Sequence, residues 1–162
     1  MKIKSFMTMM VAAAAFMFGV SSCGSDDDDK SEASLAAQVV GSYTGEEIMT
    51  VSGEDTPSSK TYVFTNSDAT SVDMTIPPTG DEGGMSLPML FVKGIALTKN
   101  GNTITGNLAS YSGTVTNDSG VEKAYTLSNI TLIFSGNTVV ATYTLKYGNM
   151  PFNFTGKFTG KQ

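Results

Sequence analysis

Histidine, tryptophan and arginine are absent from this chain, and cysteine occurs once. Each gap removes a class of chemistry. Without histidine there is no Ser-His-Asp triad and no histidine-ligated zinc. One cysteine makes neither a disulfide nor a cysteine-rich metal cluster. Ten lysines face fifteen acidic residues, for a net charge of −5. Nucleic-acid binding needs a basic patch and is served best by arginine forks, so no nucleic-acid partner is expected. Carboxylates, lysines and tyrosines remain for catalysis. Glu46, Glu47, Asp73, Lys93 and Tyr111 are the candidates, but no spacing selects a pair among them. The expectation is a protein that is not an enzyme and carries no cofactor or metal.

The long apolar run is short by membrane standards. Residues 6–20 are almost wholly apolar and follow Lys2 and Lys4. A membrane span needs ~20 such residues, whereas ~15 behind a positive start suits the core of a signal peptide. The run ends in Val20-Ser21-Ser22-Cys23. This resembles the bacterial lipobox, a branched apolar residue, two small residues and a cysteine. The resemblance implies cleavage before Cys23, diacylation of its thiol and acylation of the new N-terminus. Stable anchoring takes at least two acyl chains, each buried CH₂ contributing about 0.8 kcal/mol. The membrane is then a partner through the N-terminal lipid, and the one thiol is spent on it.

Beyond Cys23, Gly24-Ser25 leads into Asp26-Asp27-Asp28-Asp29. An acidic cluster just after the anchor resembles the surface-export signal of Bacteroidetes lipoproteins. It implies an outer-membrane, lipid-anchored protein exposed at the cell surface. Taken by itself, the acid run is a solvated spacer. It lacks the spacing, turn glycine and distant glutamate of an EF-hand. The predicted organisation is a signal peptide over 1–22, a lipidated acidic tether over 23–33 and one β-domain over 34–162. Losing Lys2 and Lys4 with the signal peptide takes the net charge from −5 to −7.

Residues 32–40 predict a short helix, with Ser31 or else Ser34 as N-cap and Leu35, Val39 and Val40 buried, covering one end of the domain. From Gly41 onward, short β-prone runs alternate with Gly, Asn, Asp, Ser and Pro. Such spacing predicts a sandwich or barrel. Strands are expected near 42–51, 60–65, 71–76, 89–98, 103–115 and 123–134, then around Val139 to Tyr147 and from Phe152 to Phe158. Val72, Met74 and Ile76 alternate with Asp73 and Thr75, which marks one buried face. Residues 77–88, with Pro77, Pro78 and Pro88, cannot continue a strand and form the longest irregular stretch. Asn100-Gly101 and Asn117-Asp118-Ser119-Gly120 read as hairpin turns. The apolar phase shifts between Leu127 and Ile130, which predicts a bulge or bend there. Eight strands with short links predict an antiparallel up-and-down barrel, closed by pairing the last strand with the first.

Gly41-Ser42-Tyr43-Thr44-Gly45 opens the first strand, and Phe154-Thr155-Gly156-Lys157-Phe158-Thr159-Gly160 closes the last. These pieces resemble the calycin-like (lipocalin-like) β-barrel domains of Bacteroidetes outer-membrane lipoproteins, over residues 36–162. Tyr43 stands where lipocalins carry tryptophan, and no arginine stacks on it. The resemblance implies an eight-stranded barrel without enzymatic activity.

Strand phase points Tyr43, Met74, Tyr143 and Phe152 into the barrel. There they line a cavity for a small apolar or amphiphilic ligand, or simply pack the core, since a barrel of eight strands can be hollow or filled. The alternative function is a surface interaction or structural protein whose loops, foremost residues 77–88, contact a protein or glycan partner.

Overall fold

The computed structural model describes residues 33–80 and 86–162. Cys23, the signal segment and the acidic tether up to residue 32 lie outside those residues. Eight strands follow in chain order: β1 Gly41–Val51, β2 Glu54–Asp68, β3 Ser71–Ile76, β4 Leu90–Asn100, β5 Thr103–Thr116, β6 Glu122–Ser135, β7 Thr138–Tyr147 and β8 Phe154–Lys161. Each pairs antiparallel with the next, and β8 pairs with β1 from Val51↔Phe154 to Thr44↔Lys161, so the barrel is closed. Closure satisfies the two terminal edges, which would otherwise present unpaired N–H and C=O groups.

Alternation sets which way each side chain points. In β7, Val139, Ala141, Tyr143, Leu145 and Tyr147 are buried, as are Phe154, Gly156, Phe158 and Gly160 in β8. Between them Thr155, Lys157, Thr159 and Lys161 face water. The barrel is apolar inside and polar outside, the reverse of a barrel whose outer face meets lipid. No helix among the described residues is long and apolar enough to cross a membrane.

The predicted helix over 32–40 is not formed. A single 3-10 turn, Ala36–Gln38, takes its place, and Ser34 Oγ accepts from the Ala37 N–H at 3.2 Å. The β-branched pair Val39-Val40 favours extended backbone and leads into Gly41, whose φ of 147° starts β1. The turn nevertheless covers one end of the barrel. Ala36 and Val39 are buried there, the Ala36 N–H reaches Ala69 O, and Tyr43 OH donates to Val39 O at 3.1 Å.

Two strand limits also differ from expectation. β2 begins at Glu54, because Ser52 (φ 52°) and Gly53 (φ 87°) make a two-residue turn straight out of β1. Residues 54–62 pair only with β1, since the β2–β3 ladder spans Val63 to Asp68. That free edge tolerates Pro57. β8 begins at Phe154, which leaves Phe152 in the preceding turn, after Pro151. The expected irregularity in β6 is present. The β6–β7 register shifts between Ser128 and Thr131, and Asn129 takes a φ of 53°. In the β4–β5 turn, Gly101 rather than Asn100 carries the positive φ.

Candidate functional site

The barrel has a closed end, under the 3-10 turn, and a mouth. The mouth carries the β1–β2 turn, residues 77–80 and 86–89 of the link from β3 to β4, the β5–β6 turn and the β7–β8 turn. The linking segment folds back on itself there. Thr79 and Leu87 exchange backbone hydrogen bonds of 2.9 and 2.7 Å, Leu87 is buried, and Lys60 Nζ donates to Pro78 O at 2.5 Å.

Inside the mouth lies a fully buried carboxyl group. Glu47 is 0% exposed. It shares the inward phase of β1 with Tyr43 and Met49, and faces Ser58 on β2 and Phe158 on β8. Its Oε1 accepts from Tyr62 OH and, at 3.0 Å, from Tyr143 OH; its Oε2 accepts from Thr79 Oγ1 at 3.1 Å. The two tyrosine hydroxyls also touch each other at 2.8 Å. An unpaired buried carboxylate is very costly, and hydroxyl donors aimed at both oxygens offset that cost. Burial, with the adjacent hydroxyl and carboxyl groups, pushes the Tyr62 hydroxyl pKa well above its usual 10, and burial followed by the Glu47 charge does the same for Tyr143. Both therefore stay protonated and serve as donors at neutral pH. Ser58 Oγ is buried with no partner among the described residues, on the face it shares with Glu47.

Side chains from several strands occupy the interior around this cluster. Tyr62 stacks on Phe158 with centroids 4.0 Å apart. Nearer the closed end, Tyr43 packs on Phe64 and Phe134 at 5.5 and 5.8 Å. Met74, 1% exposed, lies opposite Phe64 in the ladder. Of the four residues that strand phase pointed inward, Tyr43 and Met74 thus belong to one aromatic cluster and Tyr143 to the carboxyl cluster. Phe152 is half-buried at the mouth, edge-on to Phe154 at 5.6 Å. Sequence reasoning placed Glu47 among unassigned carboxylates. The signal that marks it is parity, because Glu47 lies four residues beyond Tyr43 on the same strand face.

Gly156 makes the cluster possible. A Cβ there would fall 2.2 Å from Tyr143 Cζ. The ring is fully enclosed and cannot swing aside. Gly156→Ala is expected to displace it from Glu47 and Tyr62 and cost about 1–3 kcal/mol. Urea unfolding reads this as a lower midpoint at unchanged slope. An unchanged midpoint would show that the ring has room the geometry denies it.

The mouth also has a cleft of about 230 Å³ between Thr79, Leu87, Pro88 and Asp118. That is below the ~300 Å³ at which ligand pockets usually begin. Among the described residues no three acidic side chains gather as a metal-ligand set.

No protein-family model matches the chain, and no curated protein matches it either. Among solved structures it is similar to a Bacteroides fragilis protein described as a "putative outer membrane protein", with 19% identity and a TM-score of 0.62 over 80% of this chain. The match covers 53% of that protein, so this chain spans about half its length. At such identity the likeness concerns the fold, an eight-stranded antiparallel barrel.

Proposed function

We propose that this is a non-catalytic protein of the outer membrane, held there by lipid on Cys23, whose side-chain-filled barrel presents its mouth to a protein or glycan partner. The observation that carries the reading is the interior itself, where Tyr43, Tyr62, Phe64, Tyr143, Phe154 and Phe158 are all buried. Among the described residues, three of the four large apolar side chains that are more than 40% open to solvent, Met89, Phe91 and Val121, lie on the mouth side; the fourth, Ile133, lies toward the closed end. The location is supported by the lipobox-like Val20 to Cys23, by the acidic run after it, and by the likeness to the Bacteroides fragilis barrel. Lipid anchoring suits a barrel whose outer face is polar.

A second reading keeps a small amphiphilic ligand in the barrel, with Glu47 and its hydroxyls holding the polar head. The buried carboxyl beneath the mouth favours it. Native mass spectrometry of the protein, extracted from its own membrane in mild detergent, separates the two. A filled barrel gives the mass of the lipidated chain alone. A defined additional mass, lost in Glu47→Met, would replace the first reading with the second.

A further inference from the structure

The closed end carries an opening of its own, a polar cleft of about 440 Å³. Unlike the cleft at the mouth, it exceeds the ~300 Å³ at which ligand pockets usually begin. It lies where the 3-10 turn, the β4–β5 turn and the β6–β7 turn meet, and is lined by Gln38, Lys99, Asn102, Ile104, Ser135 and Gly136. Ile104 supplies the apolar part of the lining. It is buried, pairs with Lys99 in the β4–β5 ladder and with Phe134 in the β5–β6 ladder. Gly136, at a φ of 57°, turns the chain at one side, and a Cβ there would meet nothing within 4 Å.

Gln38 and Lys99 are fixed against each other. Gln38 Nε2 donates to Ala33 O at 2.8 Å, which ties the carboxamide to its own turn. Its Oε1 accepts from Lys99 Nζ at 3.3 Å. The ammonium is thus held at the cleft with one of its three N–H donors engaged, and the others can turn toward a ligand. Acidic residues outnumber lysines fifteen to ten in the chain, yet among the described residues no acidic side chain lines this cleft. An anion therefore meets an ammonium flanked by carboxamide and hydroxyl donors, the setting of charge-assisted hydrogen bonds. One ammonium matches one negative charge. It offers neither the donor fork nor the second charge that suits a phosphate dianion. No aromatic ring is present in the lining, so a ligand gains nothing there by stacking.

We propose that this cleft binds a small monocarboxylate, its carboxylate on Lys99 Nζ and its polar body among Asn102, Ser135 and Ile104. The volume suits a sugar acid or the C-terminal end of a short peptide, which present the same group. The site lies at the end opposite the mouth. It goes beyond the function proposed above and does not depend on how the barrel interior is read.

The test titrates the full chain in detergent with glucuronate, with N-acetylglycylglycine and with uncharged glucose, following the side-chain amide signals of Gln38 and Asn102 by NMR. An open cleft with a single charge binds weakly, so a Kd on the order of 1 mM is expected for at least one of the two acids. Lys99→Met keeps the side-chain stem and should raise that Kd about tenfold, the usual effect of losing a charge-assisted hydrogen bond. Lys99 is exposed, so the variant should keep its melting temperature. Asn102→Ala should weaken binding less. Binding of glucuronate alone assigns the carboxylate to an acidic sugar, and binding of N-acetylglycylglycine alone assigns it to a peptide end. Glucose binding as tightly as the acids, a Kd unchanged in Lys99→Met, or no saturable shift with either acid would each overturn the proposal. An added mass that is lost in Glu47→Met would instead change the reading of the barrel interior and leave this titration standing.

Discussion

Phe158→Ala is expected to cost about 3–5 kcal/mol, a large share of the ~5–15 kcal/mol that holds a domain folded. Phe158 is 0% exposed and lies at the junction of the two interior clusters. Its ring stacks on Tyr62 at 4.0 Å, it pairs across the sheet with Glu47 and Ala141, and its edge lies over Gly160. Truncation leaves a ring-sized void that neither neighbour can fill, because Ala141 is small and Gly160 has no side chain. It also removes the stacking that fixes the Tyr62 hydroxyl on Glu47, worth about 0.5–1.5 kcal/mol by itself. For a domain of this size the melting temperature should fall on the order of 10–15 °C. Phe158→Leu, which keeps much of the volume, should lose far less. Calorimetry of the two variants decides the matter. A loss below about 1 kcal/mol in Phe158→Ala would mean that the barrel collapses onto the gap and that its interior is not held by this ring.

Alkaline pH is expected to unfold the protein steeply, through Tyr62 and Tyr143. Both have pKa values raised well above 10 in the folded barrel, by burial first and by neighbouring hydroxyl and carboxyl groups second. A tyrosine of this kind gives up its proton more readily from the unfolded chain. Its contribution is therefore complete below about pH 10 and is lost as pH rises toward the folded value. Each such group removes about 1.4 kcal/mol per pH unit. Two of them remove roughly 3 kcal/mol per unit for as long as the pH lies between the unfolded and the folded values. Tyr43, Tyr125 and Tyr147 shift in the same direction from burial and add to the slope. Tyrosinate absorbance and circular dichroism, followed together, should change in one step for the buried hydroxyls. In a Tyr62→Phe, Tyr143→Phe double variant the fall should be shallower. Full tyrosinate absorbance reached while the β signal persists would show that water enters the cluster without unfolding.

These two predictions draw on different parts of the information in the chain. Phe158 was visible in the sequence as an inward residue, because Phe154, Gly156 and Phe158 share one parity and the period of a strand is two. The same local rule located β3 and β7, and the phase break before Ile130 located the bulge at Asn129. It failed where a strand lacks a buried face. Glu54 to Pro57 shows no alternation, because all four residues are exposed and pair with β1 alone. It failed again at Ala36–Gln38, where helical spacing over nine residues met a β-branched pair and a glycine that turn the chain into β1.

The inward and outward faces and the turns were thus determined by the sequence itself, since each follows from neighbours one to four residues apart, whereas closure joins Val51 to Phe154 and Thr44 to Lys161 and belongs to the tertiary structure. The meeting of Glu47 with Tyr62, Thr79 and Tyr143, separated from it by 15, 32 and 96 positions, was decided by the tertiary structure. So was the meeting of Tyr125 with Phe91, 34 positions apart. The physical reason is the same in both cases. Parity says which side of the wall a residue faces, but the stagger between paired strands sets its height inside the barrel, and only residues brought to one height can share a hydrogen bond.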